Sequence, residues 1–576
     1  MNLTRHNIVI ALALLAASVV VPGWEEMMAS PREAANPVES AQDTSATPVQ
    51  DNRIVKGSQP LVRVGLFERF DQVDFRVKGP FKLTSLEGEE IYTGVETDLR
   101  WRCKVESSQP ARYVYSILVD TLETLKSAEA MAEKLRRDRF PARVLPIGRE
   151  VHIGGSVIHE GRRYRIIVGA FDREEEARPL FEKLNDHPEG FTPHILRHRI
   201  EEPVGTIEVY DAEYDRSAVV DMGFRIIPED TLTEVTVYDI RVGVGFHWEH
   251  TEDRSYRGII EVRIDNTGNL MGINELMLDD YLKGVIPSEM HHTYPLEALK
   301  AQAVAARSYT VAKLASRPTN DPIDFPATVH FQVFSGVTRE SEPTTRAVME
   351  TAGQVLKVGH RVCEAYFSSN SGGHTESKEF WNPPGESYLV GVPVMDRDAK
   401  KKFQLDLTNE KDVALWVRSY PQTWSNPRGT GIDILDRNAR YFRWSVTYSR
   451  RDLEDIIQRK LGFDIGTLVD IQPLSRGASG RITELEILGS HRNHKVRGEL
   501  NIRRVLSEST LNSSCFVVEL LMGDLGDPVE ITLVGAGFGH GVGMDQTAAG
   551  VMAVNGLDYK AILKHFYKGA KLEQIW

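Results

Sequence analysis

From Leu296 to Leu314 the sequence reads LEALKAQAVAARSYTVAKL, with no glycine or proline and with alanine at 298, 301, 303, 305, 306 and 312. Alanine loses no side-chain freedom in a helix, so the run predicts one. Pro295 suits the first turn, where its missing N–H is not needed, and Thr293 or Tyr294 can cap it. The small side chains recur on several faces instead of one stripe, which fits a helix packed closely on all sides. The expected result is a buried central helix. Arg307 and Gln302 are then polar groups that need partners, and we read them as structural support.

Just upstream lies Asp280-Tyr-Leu-Lys-Gly-Val-Ile-Pro-Ser-Glu-Met290. Asp279 is expected to cap a short helix through Lys283, with Gly284 as its exit. This leaves Glu289 in an apolar turn between two helices. Desolvation stabilises the proton of such a carboxyl, which is how a general acid is made at neutral pH.

At 576 residues the chain can hold two or three domains, and its net charge of −13 argues against a nucleic-acid binder or an anionic-lipid surface as main partner. Cys103, Cys363 and Cys515 are too scattered for a disulfide framework. Ile8 to Val21 is apolar except for Ser18 and follows Arg5. It is short of the roughly 20 residues that span a bilayer, so residues 1–24 read as an export signal or N-terminal anchor. The protein is expected in the periplasm, cell wall or extracellular space, touching membrane only through that segment. Residues 25–55, rich in Pro, Ser, Ala, Glu and Thr, read as a tether.

Strand-like alternation starts at Leu61–Leu66 and Val73–Val77, in a segment taken as 56–104. An internal repeat follows. Tyr115-Ser-Ile-Leu-Val-Asp120 and Tyr164-Arg-Ile-Ile-Val-Gly169 are offset by 49 residues, as are the Glu-Lys-Leu triplets at 133–135 and 182–184. Ala142–Leu145 and Thr192–Leu196 supply a second strand to each copy. Two strand–helix–strand units predict a four-stranded sheet with two helices on one face. This pattern resembles the SPOR domain, a module of cell-wall proteins that binds glycan strands stripped of their peptides, and we assign it 105–200. Strands before and after it predict one β-rich region split by insertion. His247 and His250 are read as surface residues, since no third ligand lies at useful spacing.

Two later stretches are built for close backbone approach. Ser371-Gly-Gly-His-Thr-Glu376 follows an apolar strand. Glycine at 535, 537, 539, 541 and 543 alternates around His540. On an extended chain that spacing lines one face and leaves room for a ligand or another backbone, with His540 presented.

Taken in order, Asp280–Met290, Pro295–Tyr309, Ser371–Glu376 and Gly537–Met544 with Gln546 resemble the family of stage II sporulation protein D and the amidase enhancer LytB. Asp545, Thr547 and Asn370 depart from the family pattern. The resemblance implies an α+β fold: a mixed, β-rich catalytic core over 205–576 with the buried alanine-rich helix, and a ferredoxin-like α+β insert. It implies lytic transglycosylase action on peptidoglycan glycan strands, preferring denuded ones, with Glu289 catalytic. Ser371, Gly372, Gly373, His374, Thr375, Glu376, His540, Gly541 and Gln546 would line the glycan cleft. One carboxyl suffices, because a sugar hydroxyl replaces the activated water of hydrolytic glycosidases. The rival reading is a non-catalytic glycan-binding scaffold or activator of a cell-wall amidase. No cofactor or metal is expected: His360, Cys363 and His374 have usable zinc spacing, but a hairpin histidine and a buried cysteine explain them more simply.

Overall fold

The computed structural model describes residues 59–576 apart from 97–98, 149, 154–155, 186, 192, 214–215, 245–248, 317–320, 329–330, 382–384 and 525. The N-terminal apolar run, the tether and His247 lie outside the described residues. Among those described, no helix is long and apolar enough to cross a membrane.

The largest sheet has twelve strands. Leu61–Phe70, Gln72–Ser85, Glu90–Glu96 and Arg100–Gln109 come from its N-terminal part, and the strands from Val204–Asp211 to Leu270–Met277 supply most of the rest. Alternation places Val62, Val64 and Leu66 in the core, as period two requires. Arg100–Gln109 pairs antiparallel with Val204–Asp211, Gln109 opposite Val204. The chain thus leaves the sheet at one strand and returns as its neighbour.

Between these strands it builds a second unit. A four-stranded antiparallel sheet runs in the order His194–Glu201, Arg112–Leu122, Arg163–Phe171, Ala142–Ile147. Helices Leu125–Arg137 and Glu174–Asn185 share one core with it, through Ala128, Leu135, Ala177 and Leu184 against Ile117, Ile166 and Val168. The fold class is α+β. One feature of the insert went unread in the sequence: a hairpin of Glu150–Ile153 and Ser156–Glu160. Its Val151, Ile153 and Ile158 join the main core instead of the insert's own. His159 Nδ1 accepts the Val362 N–H at 2.9 Å. A Cβ on Gly161 would lie 2.6 Å from the Ala315 carbonyl oxygen, so the insert is seated against the end of the alanine-rich helix.

That helix, Leu296–Ser316, is buried along its whole middle, residues 301–312 included. Around it pack Leu278–Glu289, Glu342–Glu350, Gln354–Val358 and Gln546–Val554. Two further three-stranded sheets, one of Trp444–Ser449, Pro528–Gly535 and Phe516–Met522, the other of Leu468–Arg476, Ile482–Gly489 and His494–Arg497, share a separate core that includes Ile471, Ile487, Phe516 and Ile531.

Candidate active site

Glu289 does not sit in a turn. Leu278–Glu289 is one continuous helix that passes through Gly284 and Pro287 and ends at Glu289. Met277 precedes it without a side-chain cap, and Asp279 lies inside its first turn. Pro287 falls near the C-terminal end, where its missing N–H costs one hydrogen bond, and Ser288 Oγ bonds the Gly284 carbonyl at 3.1 Å. Gly284 is needed for packing and not for exit. A Cβ there would lie 2.6 Å from the Phe334 ring and 2.8 Å from the Gly336 carbonyl oxygen.

Gly284→Ala weighs two effects. Alanine gains about 1 kcal/mol of helix preference over glycine, while forcing a methyl into a filled space costs about 1–3 kcal/mol. The opposing atoms include backbone, which cannot rotate away, so net destabilisation is expected in a urea titration.

The Phe334 segment is also what closes over Glu289. The Val333 N–H donates to Glu289 Oε1 at 3.2 Å, and Oε2 is buried without a partner. The residue is 1% exposed. Burial pushes its carboxyl up to about 8, against the smaller opposing pull of the Val333 N–H. At neutral pH it therefore holds its proton. Tyr281 lies close by and bonds Gln332 Oε1 at 3.2 Å, which Thr310 also bonds at 3.0 Å. Gln332 and Val333 were missed in the sequence, because a single backbone donor in a loop leaves no residue-type signal.

Arg307 finds its partner in Asp279, with Nε and Nη2 at 2.9 and 2.8 Å from Oδ1. Gln302 meets Gln546, whose Nε2 lies 3.4 Å from Gln302 Oε1 and 3.2 Å from the Glu289 carbonyl oxygen. Gln546, just after the glycine-rich segment, thus reaches the backbone of Glu289.

The other residues expected to line a glycan cleft are instead buried, and the two stretches that carry them pack against each other. Phe367 and Ser368 pair with Met544 and Asp545, and Asn370 and Glu376 bridge to Phe538 and Val542. The glycine run is not extended: Gly537, Gly539, Gly541 and Gly543 all have positive φ. The room they leave is already filled. A Cβ on Gly541 would meet the Arg481 guanidinium at 2.4 Å, and one on Gly543 the Tyr366 carbonyl oxygen.

Arg481, also missed in the sequence, threads between the two loops. It donates to Gly539 O at 3.1 Å, Ser371 O at 3.3 Å and Ser479 Oγ at 3.0 Å. Glu376 accepts from Ser479 Oγ at 2.7 Å, and burial raises its carboxyl. Asp545 accepts from Ser371 Oγ and Ser425 Oγ at 2.7 Å each and caps the helix Gln546–Val554 through Ala548 N–H. This departure from the family pattern therefore ties the loops together.

His540 is enclosed, correcting its expected presentation. Its ring stacks on Trp381 at 4.2 Å, Nδ1 accepts the Val542 N–H at 3.0 Å, and burial lowers it to about 3. His374 Nδ1 donates to the Thr375 carbonyl at 2.8 Å, and burial lowers it to about 4. Both are neutral rings that hold backbone. Among the described residues no three His, Cys, Asp or Glu side chains gather as a metal site, so His360, Cys363 and His374 do not form one there; the three cysteines are free thiols.

Residues 266–357 match the family model SpoIID (stage II sporulation protein), 111–197 match the SPOR domain, and 375–543 match a domain of unknown function. An uncharacterized protein of Brachyspira hyodysenteriae is 28% identical over 64% of this chain and 88% of its own length. The amidase enhancer of Bacillus subtilis is 28% identical over 50% of this chain, which spans 40% of that relative. Stage II sporulation protein D of Bacillus amyloliquefaciens is 26% identical over 55% of this chain and 79% of its own.

Proposed function

We infer that this chain, a SpoIID-domain protein with an inserted SPOR domain, is an exported cell-wall remodelling protein and a lytic transglycosylase. The observation that carries the reading is a buried carboxyl, Glu289, which desolvation pushes up to about 8, within the matched SpoIID segment. The protonated acid donates to the glycosidic oxygen as the bond from the muramic acid C1 breaks. The resulting carboxylate takes the proton of the C6 hydroxyl as its oxygen attacks C1, closing a 1,6-anhydro ring. Atoms balance without water, and Glu289 ends protonated as it began. The SPOR unit, taken as 105–200, would hold the denuded strand, and its hairpin seat on the alanine-rich helix sets its orientation to the core of 56–104 and 205–576.

Enclosure favours the second reading. Glu289 is 1% exposed, so the loop bearing Val333 must move for a sugar to reach it. A scaffold that binds glycan and stimulates a cell-wall amidase needs no such opening, and one relative is named an amidase enhancer. The test is incubation of the full chain with intact and amidase-stripped peptidoglycan, with mass spectrometry of the products. Anhydro-muramyl ends are expected with wild type, more on stripped glycan, and none with Glu289→Gln. Their absence with wild type, beside faster amidase turnover, would establish the activator reading instead.

A further inference from the structure

We propose that Gln302 and Gln546 form a recognition site for the 2-acetamido group of a sugar bound at Glu289, an inference that rests on the glycan-cleaving reading above. Gln302 projects from the alanine-rich helix and is fully buried; Gln546 begins the helix Gln546–Val554 and is 1% exposed. Through Gln546 Nε2 the two amides meet each other and the backbone of the acid. That contact uses one end of each amide. The other ends, Gln302 Nε2 and Gln546 Oε1, have no hydrogen-bond partner, and neither has Glu289 Oε2. Exchanging nitrogen and oxygen in the amides does not remove the difficulty. Turning Gln546 would set its oxygen against the Glu289 carbonyl, and turning Gln302 would set two N–H donors against each other.

Buried polar side chains without partners are uncommon in folded proteins. Here Gln546 joins Gln302 to the Glu289 backbone, and the three residues leave over one donor, one acceptor and one acid. A secondary amide is the matching guest: its carbonyl accepts from Gln302 Nε2 and its N–H donates to Gln546 Oε1. Both sugars flanking the scissile bond carry such a group at C2, next to the ring carbon where one of them is cleaved. A free amine at C2 offers donors and a positive charge but no acceptor. It would leave Gln302 unpaired in a buried setting.

The experiment compares peptide-stripped glycan strands with the same strands after N-deacetylation. The full chain is assayed for kcat/KM of anhydro-end formation and, as Glu289→Gln, for equilibrium binding. Wild type is expected to favour acetylated strands by about a hundredfold or more, since a site built to pair a polar group rejects the analogue lacking it. Gln302→Met should bring the ratio to within about threefold of unity, with Gln546→Met as second variant should the first misfold. A wild-type ratio near one, or a ratio that both substitutions leave unchanged, overturns the proposal. Should wild type form no anhydro ends on either glycan, the cleavage reading falls and the binding ratios decide: a preference for acetylated strands lost in Gln302→Met upholds the site, and no preference or an unchanged one overturns it. The SPOR domain's own binding is common to parent and variant and cancels in that comparison.

Discussion

Glu289→Gln is expected to abolish anhydro-end formation, a loss on the order of a thousandfold or more, and yet to make the protein harder to unfold at neutral pH. The folded carboxyl titrates near 8, against 4.5 when exposed. Between those values the folded state holds a proton that the unfolded chain releases, so stability declines as pH rises through this window. At pH 7 the decline amounts to on the order of 3 kcal/mol, at 1.36 kcal/mol per pH unit. Glutamine has no proton to lose, fits the same space and can still accept the Val333 N–H. The difference between variant and wild type should therefore be small near pH 4 and grow to several kcal/mol by pH 8. The comparison matters because other buried groups act in the opposite sense. His540, His374 and His159 are held neutral, with pKa values lowered to about 3 or 4. Each adds stability as pH rises from about 4 towards 6.5, the usual histidine value. They cancel in the difference. Denaturant titrations of both proteins from pH 4 to 8 provide the measurement, and parallel curves would show that Glu289 is not held protonated by burial.

Why the acid was legible and its surroundings were not follows from what each depends on. The alanine-rich helix announces itself because small side chains on every face have few uses other than burial. The insert is legible from its repeat, since two strand–helix–strand copies at one offset must pair into a sheet. Gly284 misled, because glycine serves equally as a helix exit and as a point of close contact, and only the position of Phe334 distinguishes them. The alternating glycines misled for a related reason. Period two suits an extended strand, but it also suits a chain that returns to positive φ at every second residue, and here Arg481 and neighbouring backbone occupy the space released. Arg481 lies far from both loops in sequence, and no local pattern connects it to them. The hairpin at 150–160 was missed because each strand is short, so alternation had little length over which to show.

Arg307→Ala is expected to destabilise the fold by about 3–5 kcal/mol, the cost of leaving a buried charge uncompensated. Arg307 is fully buried, and desolvation lowers its guanidinium while Asp279 opposes that loss. Nε and Nη2 bond Asp279, Nη2 also reaches the Val348 carbonyl oxygen at 3.1 Å, and Nη1 reaches that of Gln354 at 3.3 Å. Lysine cannot reproduce this fork, so Arg307→Lys should recover little. The pair also spans the two helices that define the site. Asp279 stands in the first turn of the helix that ends at Glu289, and Arg307 lies in the helix that carries Gln302. If its work is to fix that alignment, Asp279→Leu with Arg307→Met should restore most of the stability, since a packed apolar pair avoids the desolvation of two charges. Glycan cleavage should not return with it, because the directional fork no longer fixes the register of the glutamate helix against the alanine-rich one. Recovery of both properties would mean that packing alone aligns the helices. A cost below about 1 kcal/mol for Arg307→Ala would place the pair among ion pairs of surface strength, and the alignment of Glu289 would have to come from the Phe334 segment and Gln546 instead.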